Sequence, residues 1–152
     1  MSIVAEIKWP SENSAQRGNF KGTIYVIQKR EDDFARYVVM LEGLPPNQLF
    51  GFHIHNSPIT DWKDLDKSCK SCGGHFNPTN AKHGSVLNKN PLARHVGDLI
   101  NNLKSDKFGN VFVSFTDTLA TLIPTDKNNY SVLGKSIVVH AKTDDLGREG
   151  TT

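Results

Sequence analysis

Residues 57–94 form a long segment between two stretches that read as strands, and it matches neither strand nor helix periodicity over most of its length. It contains Pro58, Pro78 and Pro91, with Gly73, Gly74 and Gly84 among them. Irregular connections of this length are uncommon in compact domains unless they carry function or are disordered. Five of the six histidines lie in or beside it: His53 and His55 just before, His75 and His83 inside, and His95 just after, with His140 far downstream. Metal ligands would explain how so long a segment becomes ordered. The pattern therefore predicts a metal site spread over a long loop and pinned to strands at both ends.

The flanking chain reads as β structure. Ser2–Trp9, Phe20–Ile27, Phe34–Leu41, Gln48–Asn56, Asn110–Asp117 and Leu133–His140 are short runs with apolar residues at alternating positions or β-branched enrichment, and Val96–Asn102 begins another. Pro10 ends the first run, and a polar turn over Ser11–Asn19 follows it. Gln28–Asp33 reads as a tight antiparallel turn. Gly43-Leu44-Pro45-Pro46 breaks the third run, because proline donates no hydrogen bond to a sheet. Leu119–Ile123 is apolar and ends at Pro124. Asp61–Lys67 is the one candidate helix, and it is short. Seven or eight such runs without a long helix or an internal repeat predict an all-β sandwich or barrel. At 152 residues a single domain, 1–152, is expected, large enough for its own core.

Composition narrows the function classes. A net charge of +2 without a Lys/Arg cluster beyond Lys29-Arg30 gives no case for nucleic acid. The opening Met1–Glu6 lacks the basic and apolar regions of a signal peptide, and nothing approaches a membrane span. A cytoplasmic location is the expectation. Cys69 and Cys72 are the only cysteines. In a reducing compartment such a pair is read as free thiols or metal ligands before a disulfide, and Cys-x-x-Cys alone fits a zinc half-site, a redox pair or coincidence.

The candidate ligands are His53, His55, His75, His83, His95, Asp98 and His140. Imidazole suits copper and zinc, and carboxylate is a natural companion for zinc. His53 and His55 are two apart on a strand and so share a face. His95 and Asp98 are three apart, close enough to reach one ion where the loop meets the next element.

Five longer motifs carry a resemblance: Gly51-Phe52-His53-Ile54-His55, Gly74-His75-Phe76-Asn77-Pro78, Lys82-His83-Gly84, Arg94-His95-Val96-Gly97-Asp98-Leu99 and Val138-Val139-His140-Ala141-Lys142-Thr143-Asp144-Asp145-Leu146-Gly147. In this order, over nearly the whole chain from Leu44 onward, they resemble the copper/zinc superoxide dismutases. The resemblance implies a Greek-key β-barrel or sandwich of immunoglobulin-like type. It implies copper held by His53, His55, His75 and His140, and zinc held by His75, His83, His95 and Asp98. His75 would bridge the two ions, and Asp144 would hydrogen-bond His53 and His83 behind them. The implied activity converts superoxide to dioxygen and hydrogen peroxide by Cu(II)/Cu(I) cycling, with zinc in a supporting role. A homodimer and a copper-delivery partner are implied as well.

The pattern is also departed from. Residues 57–95 match the family's zinc and disulfide loop, but both His55–Cys69 and His83–His95 are longer than usual. Residues 141–152 match the start of its electrostatic loop, which in the family leads on to a guiding arginine, a second disulfide cysteine and a final strand; here it reads as truncated. Cys69 matches the first disulfide cysteine and lacks that partner, which leaves free thiols, a Cys69–Cys72 bond or a bond between subunits open. Arg148 is a weak stand-in for the arginine. These departures predict a slower enzyme, and they motivate an alternative: a weakly active or inactive protein acting as a metal buffer, decoy or partner-binding module.

Overall fold

The computed structural model describes residues 2–6, 20–62, 65–127 and 129–148. Seven strands and one α-helix are present among them: β1 Ser2–Glu6, β2 Lys21–Ile27, β3 Ala35–Glu42, β4 Leu49–His55, α1 Leu65–Ser71, β5 Asn102–Lys104, β6 Val111–Asp117 and β7 Ser136–Val139. They form two antiparallel sheets, ordered β1-β2-β3-β6 and β5-β4-β7. This is the expected all-β sandwich. The longest connection, residues 56–101, joins the neighbouring strands β4 and β5 of one sheet and carries three of the six histidines.

Side-chain alternation decides which face of each strand is inside. On β3, Ala35, Tyr37, Val39 and Leu41 are buried, and across the ladder Val39 pairs with Ile24 and Val113. On β6, Val111, Val113 and Phe115 face the same way. Tyr37 stacks on Phe115 with ring centroids 5.1 Å apart, and Phe115 meets Phe52 of the opposite sheet edge-on at 6.4 Å. These contacts join the sheets, and each fully buried side chain of this size contributes about 1.5–3 kcal/mol.

β4 departs from simple alternation, since every residue from Phe50 to His55 is buried. Phe50, Phe52 and Ile54 belong to the core side. His53 and His55 lie on the other face, where the loop and the chain after β7 cover them.

Two local expectations need correction. The helix runs over Leu65–Ser71, later than Asp61–Lys67, with Ser68 Oγ donating to the Asp61 carbonyl and thereby tying the preceding turn to it. Residues 96–102 do not start as a strand. Val96–Asp98 is one 3₁₀ turn, Leu99 and Asn101 take left-handed φ values of 45° and 66°, and pairing begins only at Asn102. Asp98 accepts the His95 N–H through its side chain and the Asn101 N–H through its carbonyl, which closes the chain into turns, and Asn101 is held there by Gly84 and Val86 of the loop. The apolar Leu119–Ile123 buries Ala120 and Leu122 and forms an isolated bridge, Thr121 to Ser131. The expected features at Ile7–Asn19 lie outside the described residues.

Gly97 is where the site is keyed to the sheet. Its N–H donates to the Phe76 carbonyl, and the Phe76 N–H donates to Ile54 of β4, both at 2.8 Å. A Cβ there would lie 2.2 Å from the Ile54 oxygen and 2.9 Å from the Phe76 nitrogen, both backbone atoms. Gly97→Ala is expected to cost about 3 kcal/mol, read as a lowered urea midpoint of the metal-free chain; an unchanged midpoint would show that these three segments can separate freely.

Candidate metal centre

β4 and the chain after β7 deliver the first group of candidate ligands. Their antiparallel register sets His53 opposite Val138 and His55 opposite Ser136, and the next step places His140 opposite Gly51, where the His140 N–H donates to the Gly51 carbonyl at 2.7 Å. Side chains opposite one another share a face. A bridge between His55 and His75 brings the loop onto that face. His53, His55, His75 and His140 therefore form one cluster, each offering a ring nitrogen within 4.8 Å of the others.

The second group closes beneath the first. His75, His83, His95 and Asp98 meet the same 4.8 Å limit, so His75 belongs to both groups. The Nδ1 atoms of His75, His83 and His95 lie 2.8, 2.9 and 3.2 Å from one oxygen of Asp98, and the Nδ1 atoms of His75 and His95 are 3.3 Å apart. Ligands held about 2.0–2.1 Å from a tetrahedral zinc are themselves about 3.3 Å apart, so this constellation needs only small adjustments to hold the ion. Asp98 is wholly buried, and its other oxygen accepts the N–H groups of His95 and Gly84 at 2.9 and 3.1 Å.

The tautomers are consistent with metal ligation. His55 Nδ1 lies 2.7 Å from the Gly73 carbonyl and can only donate there, which leaves Nε2 unprotonated in the neutral ring. That Nε2 faces the His140 Nε2 at 3.2 Å. The Nδ1 of the His53 ring has no hydrogen-bond partner, although the residue is only 3% exposed. A buried polar ring left in this way is costly unless something else satisfies it. Copper and zinc fit both donor sets.

Asp144 ties the groups together. Its Oδ1 lies 2.6 Å from His83 Nε2 and 3.3 Å from His53 Nε2. Its own position is set by two asparagines: Asn101 donates to its Oδ2 at 3.1 Å, and Asn102 accepts its N–H at 2.8 Å. Asn101 also donates to the Gly84 carbonyl and accepts the Val86 N–H, so a single buried side chain joins the loop, the turn after Asp98 and Asp144. Sequence reasoning assigned neither asparagine a role. The consecutive Asn101-Asn102 after two apolar residues was the available signal, because asparagine tolerates left-handed backbone and bonds nearby main chain.

Sequence reasoning also missed the anchor at the end of the loop. Arg94 Nη2 contacts both oxygens of Asp117, at the end of β6, at 2.9 Å, while its Nη1 donates to the His95 and Val96 carbonyls at 3.2 and 3.1 Å. The turn bearing His95 and Asp98 is thus fastened to the other sheet. Cys69 and Cys72 are both free thiols, Cys69 exposed and Cys72 buried, and neither joins a ligand group. Burial raises the Cys72 thiol above its ordinary value. Arg148 is exposed, with its N–H donating to Asp145 at 3.2 Å.

The charges divide by site. Burial lowers His53 to about 2, reinforced by His75 and His140. Burial also lowers His140 to about 4, with His55 and His75 adding to it, and lowers His55. His83 moves the other way, to about 9, chiefly through its hydrogen bond to Asp98. Burial alone would raise Asp98, but the hydrogen bonds from His75, His83 and His95 outweigh it and hold the carboxyl far below the usual range.

A pH optimum follows for the metal-free chain. His53 and His140 are lowered, so unfolding takes up their protons below the unfolded value near 6.5, and stability falls as pH drops toward 4. His83 is raised, so its contribution is complete below that value and is lost as pH rises through about 9. Each proton contributes a slope of up to about 1.4 kcal/mol per pH unit. Chelator-treated protein is expected to be most stable near neutrality in pH-dependent urea unfolding; a curve rising steadily to pH 9 would contradict these assignments.

Comparison with known proteins agrees with this geometry. The family model for copper/zinc superoxide dismutase matches residues 20–152. A superoxide dismutase [Cu-Zn] of Neurospora crassa is 39% identical over 132 residues, covering 87% of this chain and 77% of the relative. One from Candida glabrata is 42% identical over 130 residues, covering 85% and 75%. An extracellular superoxide dismutase [Cu-Zn] of Caenorhabditis elegans is 43% identical over 98 residues, covering 64% of this chain and 38% of its own length. These relatives favour the enzyme over the metal-buffer alternative. With two ligand groups sharing one histidine on an antiparallel sandwich, the chain belongs to the copper/zinc superoxide dismutase family.

Proposed function

We propose that His53, His55, His75 and His140 hold the copper at which this superoxide dismutase works, and that His75, His83, His95 and Asp98 hold its zinc. The observation that carries the assignment is the membership of His75 in both groups. Copper, when bound, supplies the one-electron couple that oxidises one superoxide and reduces another. The protein's part is to hold four imidazoles in place and to manage a proton. The His75 Nδ1 is committed to the Asp98 side at 2.8 Å, which leaves Nε2 as the atom available to the other group and able to carry a proton for the peroxide product. Asp98 and Asp144 keep the rings oriented.

Residues 57–95 act as the zinc-binding loop of one domain, 1–152. A homodimer, a copper-delivery partner and a cytoplasmic location complete the reading. No helix among the described residues is long and apolar enough to cross a membrane.

The test is reconstitution with both metals, followed by direct measurement of superoxide loss. Catalytic turnover is expected, and a fully loaded sample without it would overturn the reading. Asp144→Ala separates ligand orientation from ligand identity. It removes no proposed ligand but frees His83 and His53 at their rear. Affinity for zinc is expected to fall about 10–100-fold, read by competition with a chromophoric chelator; unchanged affinity would show that the rings are positioned without it.

A further inference from the structure

Cys69 and Cys72 are absorbed by neither ligand group, yet they sit at the back of one. Cys69 lies in the last turn of α1 and is exposed, whereas Cys72 follows the helix and is 1% exposed. The Cys72 thiol lies 2.9 Å from the Cys69 carbonyl and 3.8 Å from the Gly73 carbonyl, so it packs against the main chain that joins the two cysteines. The next residues hold the ligand strand. The Gly73 carbonyl accepts from His55 Nδ1 at 2.7 Å, the Cys72 carbonyl accepts the Ser57 N–H at 3.0 Å, and the Gly74 carbonyl accepts the Asn56 N–H at 2.9 Å.

Positions three apart on a helix have Cβ atoms about 5–6 Å apart, whereas a disulfide needs about 3.5–4.5 Å. Closing this pair therefore requires movement of roughly 1–2 Å. The helix ends at Ser71, so the yielding part is Cys72 and the glycines after it. Gly73 has φ +69°, and a Cβ at either Gly73 or Gly74 would meet nothing within 4 Å, so this main chain has room to turn. A movement there carries the carbonyl that orients His55.

We propose that Cys69–Cys72 is a peroxide-responsive disulfide site that senses the enzyme's own product and loosens the His55 side of the metal centre when it closes. The inference rests on the superoxide dismutase reading, because that activity supplies the hydrogen peroxide. The exposed Cys69 sulfur attacks peroxide: an S–O bond forms, the O–O bond breaks, and water leaves with the sulfenic acid as the oxidised product. The Cys72 sulfur then displaces that oxygen: the S–S bond forms, the S–O bond breaks, and a second water leaves. Overall, two thiols and one peroxide give one disulfide and two waters. An accessible attacking thiol beside a shielded resolving thiol is the arrangement that favours this outcome over further oxidation.

The test uses the metal-loaded protein and added hydrogen peroxide, so it does not depend on superoxide turnover. The expected result is loss of both titratable thiols with a mass decrease of about 2 Da, no crosslinked dimer on a non-reducing gel, and reversal by dithiothreitol. The Cys69→Ser variant should leave Cys72 titratable under the same exposure. The oxidised form should then lose copper to a chelator about tenfold more readily than the reduced form. Sulfinic acid at Cys69 with Cys72 still free, retention of both thiols, or a disulfide that leaves copper affinity unchanged would each overturn the proposal. Failure of the superoxide assay with normal disulfide formation would instead count against the activity on which it rests.

Discussion

Asp98→Ala is expected to reduce zinc affinity by roughly 10²–10³-fold, the share of one ligand in a four-ligand structural site. The carboxylate is the point on which three imidazole Nδ1 atoms converge, at 2.8–3.2 Å. It is also a structural acceptor, because its second oxygen takes the N–H groups of His95 and Gly84. Truncation leaves those donors unpaired in a fully buried place and removes the negative charge that holds His83 near 9. Breaking a buried ionic group in this way costs about 3–5 kcal/mol, so the metal-free variant should unfold at markedly lower urea. Asp98→Asn separates the two roles. An amide oxygen still accepts main-chain hydrogen bonds, so part of the folding stability should return while zinc affinity stays low. Calorimetric titration with zinc and urea unfolding of the chelated protein read the two effects. Near-normal zinc affinity in Asp98→Ala would remove this residue from the ligand set.

Asp117→Ala should be nearly as damaging to folding, although Asp117 is not a ligand. Its carboxylate contacts Arg94 through both oxygens at 2.9 Å, with the two side chains only 3% and 1% exposed. It also accepts the Leu119 and Ala120 N–H groups at 2.8 Å. Removing it strands a guanidinium in the interior, for an expected loss of about 3–5 kcal/mol. The effect should reach the metal, because the same guanidinium holds the carbonyls of His95 and Val96. Zinc affinity is expected to fall by about tenfold. Asp117→Asn keeps acceptors for the two main-chain donors, so comparison with Ala isolates the ion pair. A zinc affinity unaffected by either change would mean that the Asp98 turn holds itself without this anchor.

Much of the frame was legible because its cause is local. The alternation Ala35, Tyr37, Val39, Leu41 states both that β3 is a strand and which side is inside, and the register across β2 and β6 agrees. His53 and His55 share a face for the same reason. The misreadings fall where a distant partner outweighs local preference. Residues 96–102 have the apolar content of a strand, but Asp98 and Asn101 use their hydrogen bonds to close turns around the site. The helix lies later than expected, over Leu65–Ser71, so that Cys72 and Gly73 end it against β4.

The candidate donors were legible in the order of residues alone. Six histidines, Asp98 and Asp144, in motifs of recognisable order, name the chemistry because imidazole and carboxylate carry their ligand properties wherever they sit. Which atoms meet depends on the folded arrangement. Sheet register brings His140 beside Gly51, a bridge brings His75 to His55, and Asn101, Asn102 and the Arg94–Asp117 pair hold the loop in that place. Those residues look like ordinary turn and surface positions in the chain. Their importance comes from burial, which makes each hydrogen bond costly to leave unmade and thereby fixes the arrangement.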